Sequence, residues 1–200
     1  MQWVFERWLE LFGAASCLLY IYLEIRQRVS MWIVGLLSSA VYVIVFFQSS
    51  LYAFSGLYVY YIAVSVYGLY CWRYAQKAQE GESRVKRLNL SLTAVLLLIS
   101  AVLFAGIWYA LNTFIDPDVL DIPPYCEALA VSLSIVATWM LAHKILEQWF
   151  VWIFVNFFSA FLYFWCELYP TSGLFIIYGI MSIVGWLKWR QSYNKFLIQI

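Results

Sequence analysis

The stretch LYAFSGLYVYYIAVSVYGLYCWR, residues 51–73, returns in altered form as LYPTSGLFIIYGIMSIVGWLKWR at residues 168–190. A shift of 117 positions aligns the two stretches without a gap, and it also aligns Trp32 with Trp149. The matched residues within the two stretches include Leu51/Leu168, Tyr52/Tyr169, Gly56/Gly173, Leu57/Leu174, Tyr61/Tyr178, Ser65/Ser182, Gly68/Gly185, Trp72/Trp189 and Arg73/Arg190. Chance rarely aligns so many Trp, Tyr and Gly residues, so we interpret the two ends of the chain as two copies of one unit.

The composition places both copies in a membrane. Of the 200 residues, 65% are hydrophobic and 12% are charged, and the mean hydropathy is +0.80. A soluble domain carries about 25% charged residues, so this chain cannot cover a water-facing surface. Charge-free apolar runs of about 18 or more residues indicate membrane helices, which satisfy their own backbone hydrogen bonds. We predict seven spans, at residues 9–25, 31–49, 53–72, 88–111, 125–142, 148–166 and 170–188.

The basic residues give these spans an orientation. Of the 12 Lys and Arg residues, all except Arg7 fall after spans one, three and five or at the C-terminal end. An excess of Lys and Arg marks the cytoplasmic side of a membrane protein. We therefore expect an external N-terminus, a cytoplasmic C-terminus, and an outward-facing acidic loop with Asp116, Asp118 and Asp121.

The predicted fold class is an all-α integral membrane protein with seven transmembrane helices in a 3+1+3 order. Residues 1–73 form the first three-helix repeat, residues 74–124 hold a linker, the central helix and the outer loop, and residues 125–200 form the second repeat with the C-terminal tail. Three helices end on the opposite face from where they began, so one added helix keeps the copies parallel. Parallel repeats around a midplane site are one plan of secondary transporters.

Span six carries a polar and aromatic pattern inside the predicted membrane. Trp149, Trp152, Asn156 and Tyr163 are spaced by 3, 4 and 7 residues, which places them on one helical face. Asn156 is the only amide deep in a span, and it needs a partner from a neighbouring helix or from a ligand. A plain helix–helix contact explains this amide equally well.

The remaining candidates are acidic or aromatic. Glu10 and Glu127 open the first span of each copy at the outer interface, where they could draw cations or pair with basic groups. Glu24 and Glu147, at inner span ends, are interpreted as solvated. Aromatic rings around a polar cavity suit a flat cation. From the deep aromatic residues we select Tyr42, Tyr58, Tyr61, Tyr178 and Trp186 as candidate ligand contacts.

No pattern in the sequence indicates an enzyme. There is no GxSxG, HExxH or P-loop, and His143 beside Lys144 fits a role in topology or headgroup contact better than a catalytic base. We expect no cofactor and no metal, and the net charge of +1 gives no indication of nucleic-acid binding. Four cysteines without metal-binding spacing are interpreted as small apolar residues: Cys17, Cys71, Cys126 and Cys166. With few buried carboxylates to carry protons or Na⁺, facilitated diffusion is the simplest mechanism.

Four motifs support a resemblance to a known family over essentially the whole chain. They are WxxWxxxN at residues 149–156, FFQSSLYA at 46–53, YG followed by Trp at 67–72, and LSIVATWMLAHK at 133–144. With these motifs the chain resembles the Pnu vitamin transporter family. The resemblance implies a 3+1+3 bundle, usually a homotrimer, in a bacterial inner membrane, which carries a small vitamin by facilitated diffusion. It also implies a cytoplasmic kinase that traps the substrate by phosphorylation.

Site chemistry rather than fold decides the substrate. Known substrates of the family include nicotinamide riboside and thiamine, both flat permanent cations, with riboflavin in a more distant group. Members that carry the riboside have amides where this chain has Tyr58 and Ser65 in span three and Ser38 and Ser39 in span two. Fewer amides favour thiamine as the predicted substrate, held between the two copies, with nicotinamide riboside as the alternative. A membrane scaffold or receptor subunit without transport is the other class left open.

Overall fold

The computed structural model describes residues 15–48, 52–78, 85–114 and 123–198 of the chain. The predicted spans coincide with helices there, although α3 and α7 continue well past the predicted ends. Arg7, Glu10 and the three aspartates of the acidic loop lie outside the described residues. The helices are α1 (Ala15–Ile25), α2 (Ser30–Gln48), α3 (Tyr52–Ala78), α4 (Leu90–Phe114), α5 (Pro124–Ala142), α6 (Gln148–Trp165) and α7 (Tyr169–Ile198).

Four stretches of the described chain are long and apolar enough to cross a membrane. They are α4, α5, α6 and the part of α7 from Tyr169 to Lys195, while the described apolar parts of α1 and α2 are shorter. Along α4, Leu96 is buried and most other side chains face outward. A helix with so much exposed apolar surface requires apolar surroundings, as lipid provides.

The chain divides into two compact units, Met1–Arg84 and Val85–Ile200. In the first unit α2 packs against α3; in the second, α4 packs against α5, α5 against α6, and α6 against α7. The predicted division at residues 73 and 124 stays a prediction, but α4 belongs to the second compact unit. The apolar core beside α4 is formed by Leu96, Val136, Met140 and Ile145.

Two helices end in the same backbone turn at positions related by the 117-residue shift. Gln27 after α1 has a φ of 54° and Lys144 after α5 has a φ of 55°, both in the left-handed region. In each turn, the amide of the next residue donates to the carbonyl five positions back, over 2.9 Å and 3.0 Å. This is the bonding of a Schellman motif, which satisfies the last helical carbonyls. Glu167, with a φ of 61°, closes α6 in the same way.

A tryptophan–glycine crossing holds α2 against α3. Trp32 lies edge-on to Trp72, with ring centroids 5.9 Å apart and planes at 84°. A Cβ atom on Gly68 would lie 2.4 Å from the Trp32 ring. Both indoles are almost completely buried, so the absent side chain of Gly68 is what lets the ring of Trp32 lie on the backbone of α3.

A second tryptophan–glycine crossing holds α6 against α7. The rings of Trp149 and Trp189 are 5.6 Å apart at 85°, and a Cβ atom on Gly185 would lie 2.4 Å from Trp149. These three residues are the 117-shift equivalents of the first crossing. The local packing that the sequence repeat predicts is therefore present in each unit.

A short non-helical segment, residues 85–88, runs beside the loop between α5 and α6; we call it the strap. The amide of Lys86 donates to the carbonyl of Lys144 over 2.9 Å, and the carbonyl of Lys86 accepts from the amide of Leu146 over 2.9 Å. This pair of bonds forms an isolated parallel β-bridge between Lys86 and Ile145. The strap thus ties the start of α4 to the turn between α5 and α6.

Two carboxylates that the sequence analysis interprets as solvated, Glu24 and Glu147, have partners or burial that the sequence does not reveal. Glu147 forms an ion pair with Arg87 of the strap over 3.0 Å and accepts the backbone amide of Leu88 over 3.0 Å. Glu24 is buried at 4% exposure. The interpretation of Glu24 as solvated is therefore wrong, whereas Glu147 keeps 19% of its side chain exposed and differs from the interpretation in having protein partners.

Candidate binding site

The pairing of α6 with α7 brings most of the predicted site residues of the second unit together. Three contacts follow one another along the pair: Trp149 on Gly185, Asn156 on Ser182, and Tyr163 on Phe175. Residue numbers rise on α6 as they fall on α7, so the two helices are antiparallel. The predicted polar face of α6 is therefore the face that meets α7.

The centre of this pair is a buried hydrogen-bonded chain. Asn156 Nδ2 donates to Ser182 Oγ over 3.1 Å, and Ser182 Oγ donates to the carbonyl of Tyr178 over 2.8 Å. Asn156 is 6% exposed and Ser182 is fully buried. The amide thus has a partner on a neighbouring helix, and its oxygen Oδ1 remains for a further contact.

Trp152 lies one turn before Asn156 on α6 and supplies a second polar group. Its indole Nε1 is buried and meets no acceptor among the described residues. Trp32 and Trp149 also lack acceptors within the described chain, but both are sealed in the crossings, whereas Trp152 is partly exposed. A buried donor without a partner costs about 1–3 kcal/mol, so a ligand that accepts from Trp152 would recover that energy.

Aromatic rings continue from this centre toward the other end of α6. The Tyr163 ring lies 5.1 Å from Phe175, and Phe175 lies 5.7 Å from the Tyr178 ring. Glu127, in the first turn of α5, is close enough to Tyr163 for an electrostatic interaction. One carboxylate and three rings therefore lie at the end of the second unit where α5 begins.

The predicted tyrosines of the first unit form a row of their own. Ring centroids of Tyr42 and Tyr58 are 5.0 Å apart, and those of Tyr58 and Tyr61 are 5.6 Å apart. Tyr20 of α1 lies near both Glu24 and Tyr61. Such a row offers π faces and hydroxyl groups together.

Two predicted site residues have contacts that differ from those of the Asn156 group. Trp149 belongs to the second tryptophan–glycine crossing and is fully buried there. Trp186 lies 5.4 Å from Phe150, and the Arg190 guanidinium lies 5.2 Å above its ring. The observed contacts of both rings are with neighbouring side chains, and their assignment to the site stays a prediction.

Sequence reasoning missed Ser182, Phe175 and Tyr20. A signal for Ser182 existed, because the repeat alignment pairs it with Ser65 and both serines are buried. Phe175 had no such signal, since one more ring in a chain with 21% aromatic residues does not stand out. Tyr20 becomes notable only through its neighbours on other helices.

The described residues offer no metal site. No group of three or more His, Cys, Asp or Glu side chains there could hold an ion. The single histidine, His143, lies with its ring 4.0 Å from the Trp139 ring and its Nδ1 2.9 Å from the Trp139 carbonyl oxygen. Its contacts are thus local ones at the end of α5.

The chain is similar to known membrane transporters in sequence and in fold. The sequence model of the family described as nicotinamide mononucleotide transporter matches residues 7–191. The nicotinamide riboside transporter PnuC of Escherichia coli K12 is 26% identical, over 92% of this chain and 86% of its own. The riboflavin/roseoflavin transporter RibM of Streptomyces davaonensis is 27% identical, over 92% and 87%. A crystal structure of the vitamin B3 transporter PnuC has a TM-score of 0.74 at 23% identity, over 94% of this chain and 83% of that one.

The fold defines the class of this protein, and the sequence match defines its family. The chain is an all-α, multi-pass membrane protein whose fold is that of the PnuC crystal structure. It belongs to the nicotinamide mononucleotide transporter family, which confirms the resemblance to the Pnu family. Membership of a transporter family also confirms that the chain is not an enzyme.

Proposed function

We propose that this chain takes up a small flat vitamin by facilitated diffusion and that its substrate is nicotinamide riboside. The observation that carries the proposal is the pair formed by Trp152 and Asn156. An unpartnered indole donor and an amide oxygen lie one turn apart on the same face of α6. A ligand with both an acceptor and a donor group complements this pair.

Nicotinamide riboside replaces thiamine as the first candidate because of the relatives. The E. coli relative is named for the riboside, and RibM is named for riboflavin. A riboside also carries hydroxyl groups that match the hydroxyl-rich row of Tyr42, Tyr58 and Tyr61. The permanent positive charge of its pyridinium is attracted by the π faces of such rings.

Thiamine is the second candidate substrate because two buried positions carry serine instead of an amide. Buried serines, Ser39 and Ser65, stand where amides are expected for a riboside. Hydroxyl groups serve a thiazolium–pyrimidine ligand as well as they serve a ribose. Glu127, close to Tyr163, would attract either cation.

The wider arrangement follows from the same proposal. We infer two parallel three-helix repeats separated by α4, with the N-terminus outside and the C-terminus in the cytoplasm of a bacterium. A homotrimer in the inner membrane and a cytoplasmic kinase that phosphorylates the vitamin complete the proposal. The kinase removes free substrate from the inner side, which keeps downhill flux directed inward.

Uptake into proteoliposomes tests the function. Purified full-length protein is reconstituted, and the flux of labelled nicotinamide riboside, thiamine and riboflavin is measured with and without an ionophore. We expect saturable uptake of nicotinamide riboside that follows its gradient and is unchanged when proton and Na⁺ gradients are collapsed. Absence of saturable flux for all three vitamins would contradict a role in vitamin transport.

Two variants connect flux to the site. Trp152→Ala and Asn156→Leu are expected to weaken binding by roughly 10-fold or more, since each removes a polar contact and changes the shape of the site. Trp108→Ala is the matched control, because Trp108 is an exposed tryptophan on α4. Binding that is unchanged in both site variants would remove this pair from the binding site.

A further inference from the structure

The Ser182 hydroxyl donates its one proton to a fixed acceptor on its own helix. Ser182 Oγ lies 2.8 Å from the carbonyl oxygen of Tyr178, one turn earlier on α7. A carbonyl oxygen can only accept, and a serine hydroxyl has one proton to donate. The donor capacity of Ser182 is therefore used by its own helix, as is common for serine in helices.

This fixed proton determines the orientation of the Asn156 amide. Ser182 Oγ meets Asn156 over 3.1 Å and, with its proton used elsewhere, can only accept there. The amide group that faces Ser182 must then be the NH₂ group, although the two ends of an amide have nearly the same shape. Because both side chains are buried, solvent competes little for either group.

We propose that Ser182 is a positioning residue for substrate selection, which acts by holding Asn156 with its Oδ1 toward the ligand. This inference rests on the proposed function and adds a chemical requirement to it. The ligand must present an N–H or O–H donor to Oδ1 and an acceptor to the indole Nε1 of Trp152.

The requirement separates vitamins from close analogues. The carboxamide of nicotinamide riboside offers both a donor and an acceptor, whereas the carboxylate of nicotinic acid riboside offers only acceptors. A carboxylate would place a charged oxygen against Oδ1 with no proton between them. The aminopyrimidine of thiamine presents an exocyclic NH₂ donor. In oxythiamine an oxygen replaces that amino group, so the same position presents a carbonyl acceptor while the only N–H lies within the ring.

Competition measurements test the inference in proteoliposomes of the full-length protein. For each vitamin that the wild type carries, we compare inhibition by the vitamin with inhibition by its analogue, nicotinic acid riboside or oxythiamine. In Ser182→Ala the amide is free to turn, so the preference for the vitamin is expected to fall at least threefold. If Ser182→Ala alters affinity but leaves the preference unchanged, Ser182 is only structural and the inference is wrong.

Ser172→Ala is the matched control. Ser172 is also buried on α7, and its hydroxyl donates to the carbonyl of Ala160 on α6 over 2.8 Å, without an amide in between. Its removal deletes one hydrogen bond from the same helix pair, so the preference should remain as in the wild type. An equal loss of preference in Ser172→Ala would contradict a role specific to Ser182.

A ligand-free measurement separates failure of the inference from failure of the proposed function. The side-chain amide protons of Asn156, observed by NMR after ¹⁵N labelling of asparagine, should be protected from exchange in the wild type and lose protection in Ser182→Ala. If no vitamin is carried, the proposed function fails and these protons still decide the orientation. Unchanged protection in Ser182→Ala would overturn the inference.

Discussion

The two units are alike where helices cross, and they differ at two polar positions on α2 and α6. In each unit one tryptophan ring rests on a glycine of the next helix and lies edge-on to a second tryptophan, at nearly equal distances and angles. About two turns after Trp32 on α2, the first unit has Ser39. At the equivalent position after Trp149 on α6, the second unit has Asn156. Similarly, Tyr42 in the first unit corresponds to Ser159 in the second.

This difference shows which positions a duplicated unit can change. A ring that fills a space left by a missing Cβ has no alternative of equal volume, so both copies keep it. At the polar position the constraint differs between the copies, since Asn156 bonds to Ser182 in the second unit and the first unit has a serine there. The shared crossings therefore reflect the duplication, and the positions of Ser39 and Asn156 are where the copies have diverged.

The largest expected effect is on the packing that the units share. Gly68→Ala and Gly185→Ala each place a Cβ atom 2.4 Å from a buried indole, so one of the two helices must shift. We expect each change to cost about 1–3 kcal/mol, the usual range for overpacking a core. Lower unfolding temperatures in detergent, similar for the two variants, would confirm that the crossings are equivalent.

Gly106→Ala is the control for these two variants. No atom lies within 4 Å of the added Cβ on α4, and alanine favours helix by up to about 1 kcal/mol over glycine. Stability should stay equal or rise. If Gly106→Ala lowered stability as much as Gly68→Ala and Gly185→Ala, the loss would not be due to the contact between Cβ and indole.

The second effect concerns the polar difference. Asn156→Ser gives the second unit the group that the first unit has at Ser39. Loss of one ligand hydrogen bond, about 0.5–1.5 kcal/mol, should weaken substrate binding by roughly 3- to 10-fold while the unfolding temperature changes little. Asn112→Ser, at an exposed amide near the end of α4, should leave binding as it is.

A smaller effect is expected at the strap of the second unit. Glu147→Ala removes both the ion pair with Arg87 and the acceptor for the amide of Leu88, whereas Arg87→Ala removes the ion pair alone. Because Arg87 is 60% exposed, its loss should cost less than about 1 kcal/mol. Thermal unfolding of both variants checks the order, and a larger loss in Arg87→Ala would contradict it.

The smallest effect compares the two matched turns. Gln27→Gly should stabilise the protein by up to about 1 kcal/mol, because glycine adopts a positive φ without strain. Lys144→Gly relieves the same strain but also deletes a side chain that is buried at 5% exposure. We expect the unfolding temperature to rise in the first variant and not in the second; a rise in both would show that the Lys144 side chain contributes little.

Sequence alone predicted the helices and their repeat because both depend on local patterns. Apolar runs of membrane length predicted the spans, and the 117-residue shift predicted that Trp32 and Trp149 would have equivalent surroundings. The spacing of Trp149, Asn156 and Tyr163 predicted one face of α6, and all three contact α7. Among the described helices, the ends of α3, α4 and α7 were missed, since polar residues there ended the apolar runs but not the helices.

Contacts between distant segments could not be predicted in this way. The strap and the turn at Lys144 carry no periodic pattern, and their pairing depends on where α4 and α5 bring them. The burial of Glu24 and the hydrogen bond between Ser182 and Asn156 likewise depend on neighbours from other helices. Nothing in the one-dimensional order of residues gives the direction of a hydroxyl proton.

The strap also bears on the order in which the protein is made. The hydrogen bond from Leu88 to Glu147 joins residues that are 59 positions apart, so it cannot form until α5 and the following loop have been synthesised. The pairing of α2 with α3 joins consecutive helices and needs only a short loop to close. During insertion into the bilayer, the first unit can therefore be packed while the start of α4 still awaits its partner. In a nascent chain halted before the α5–α6 loop, α2 could already pack against α3, whereas the strap would still lack its hydrogen bonds to that loop.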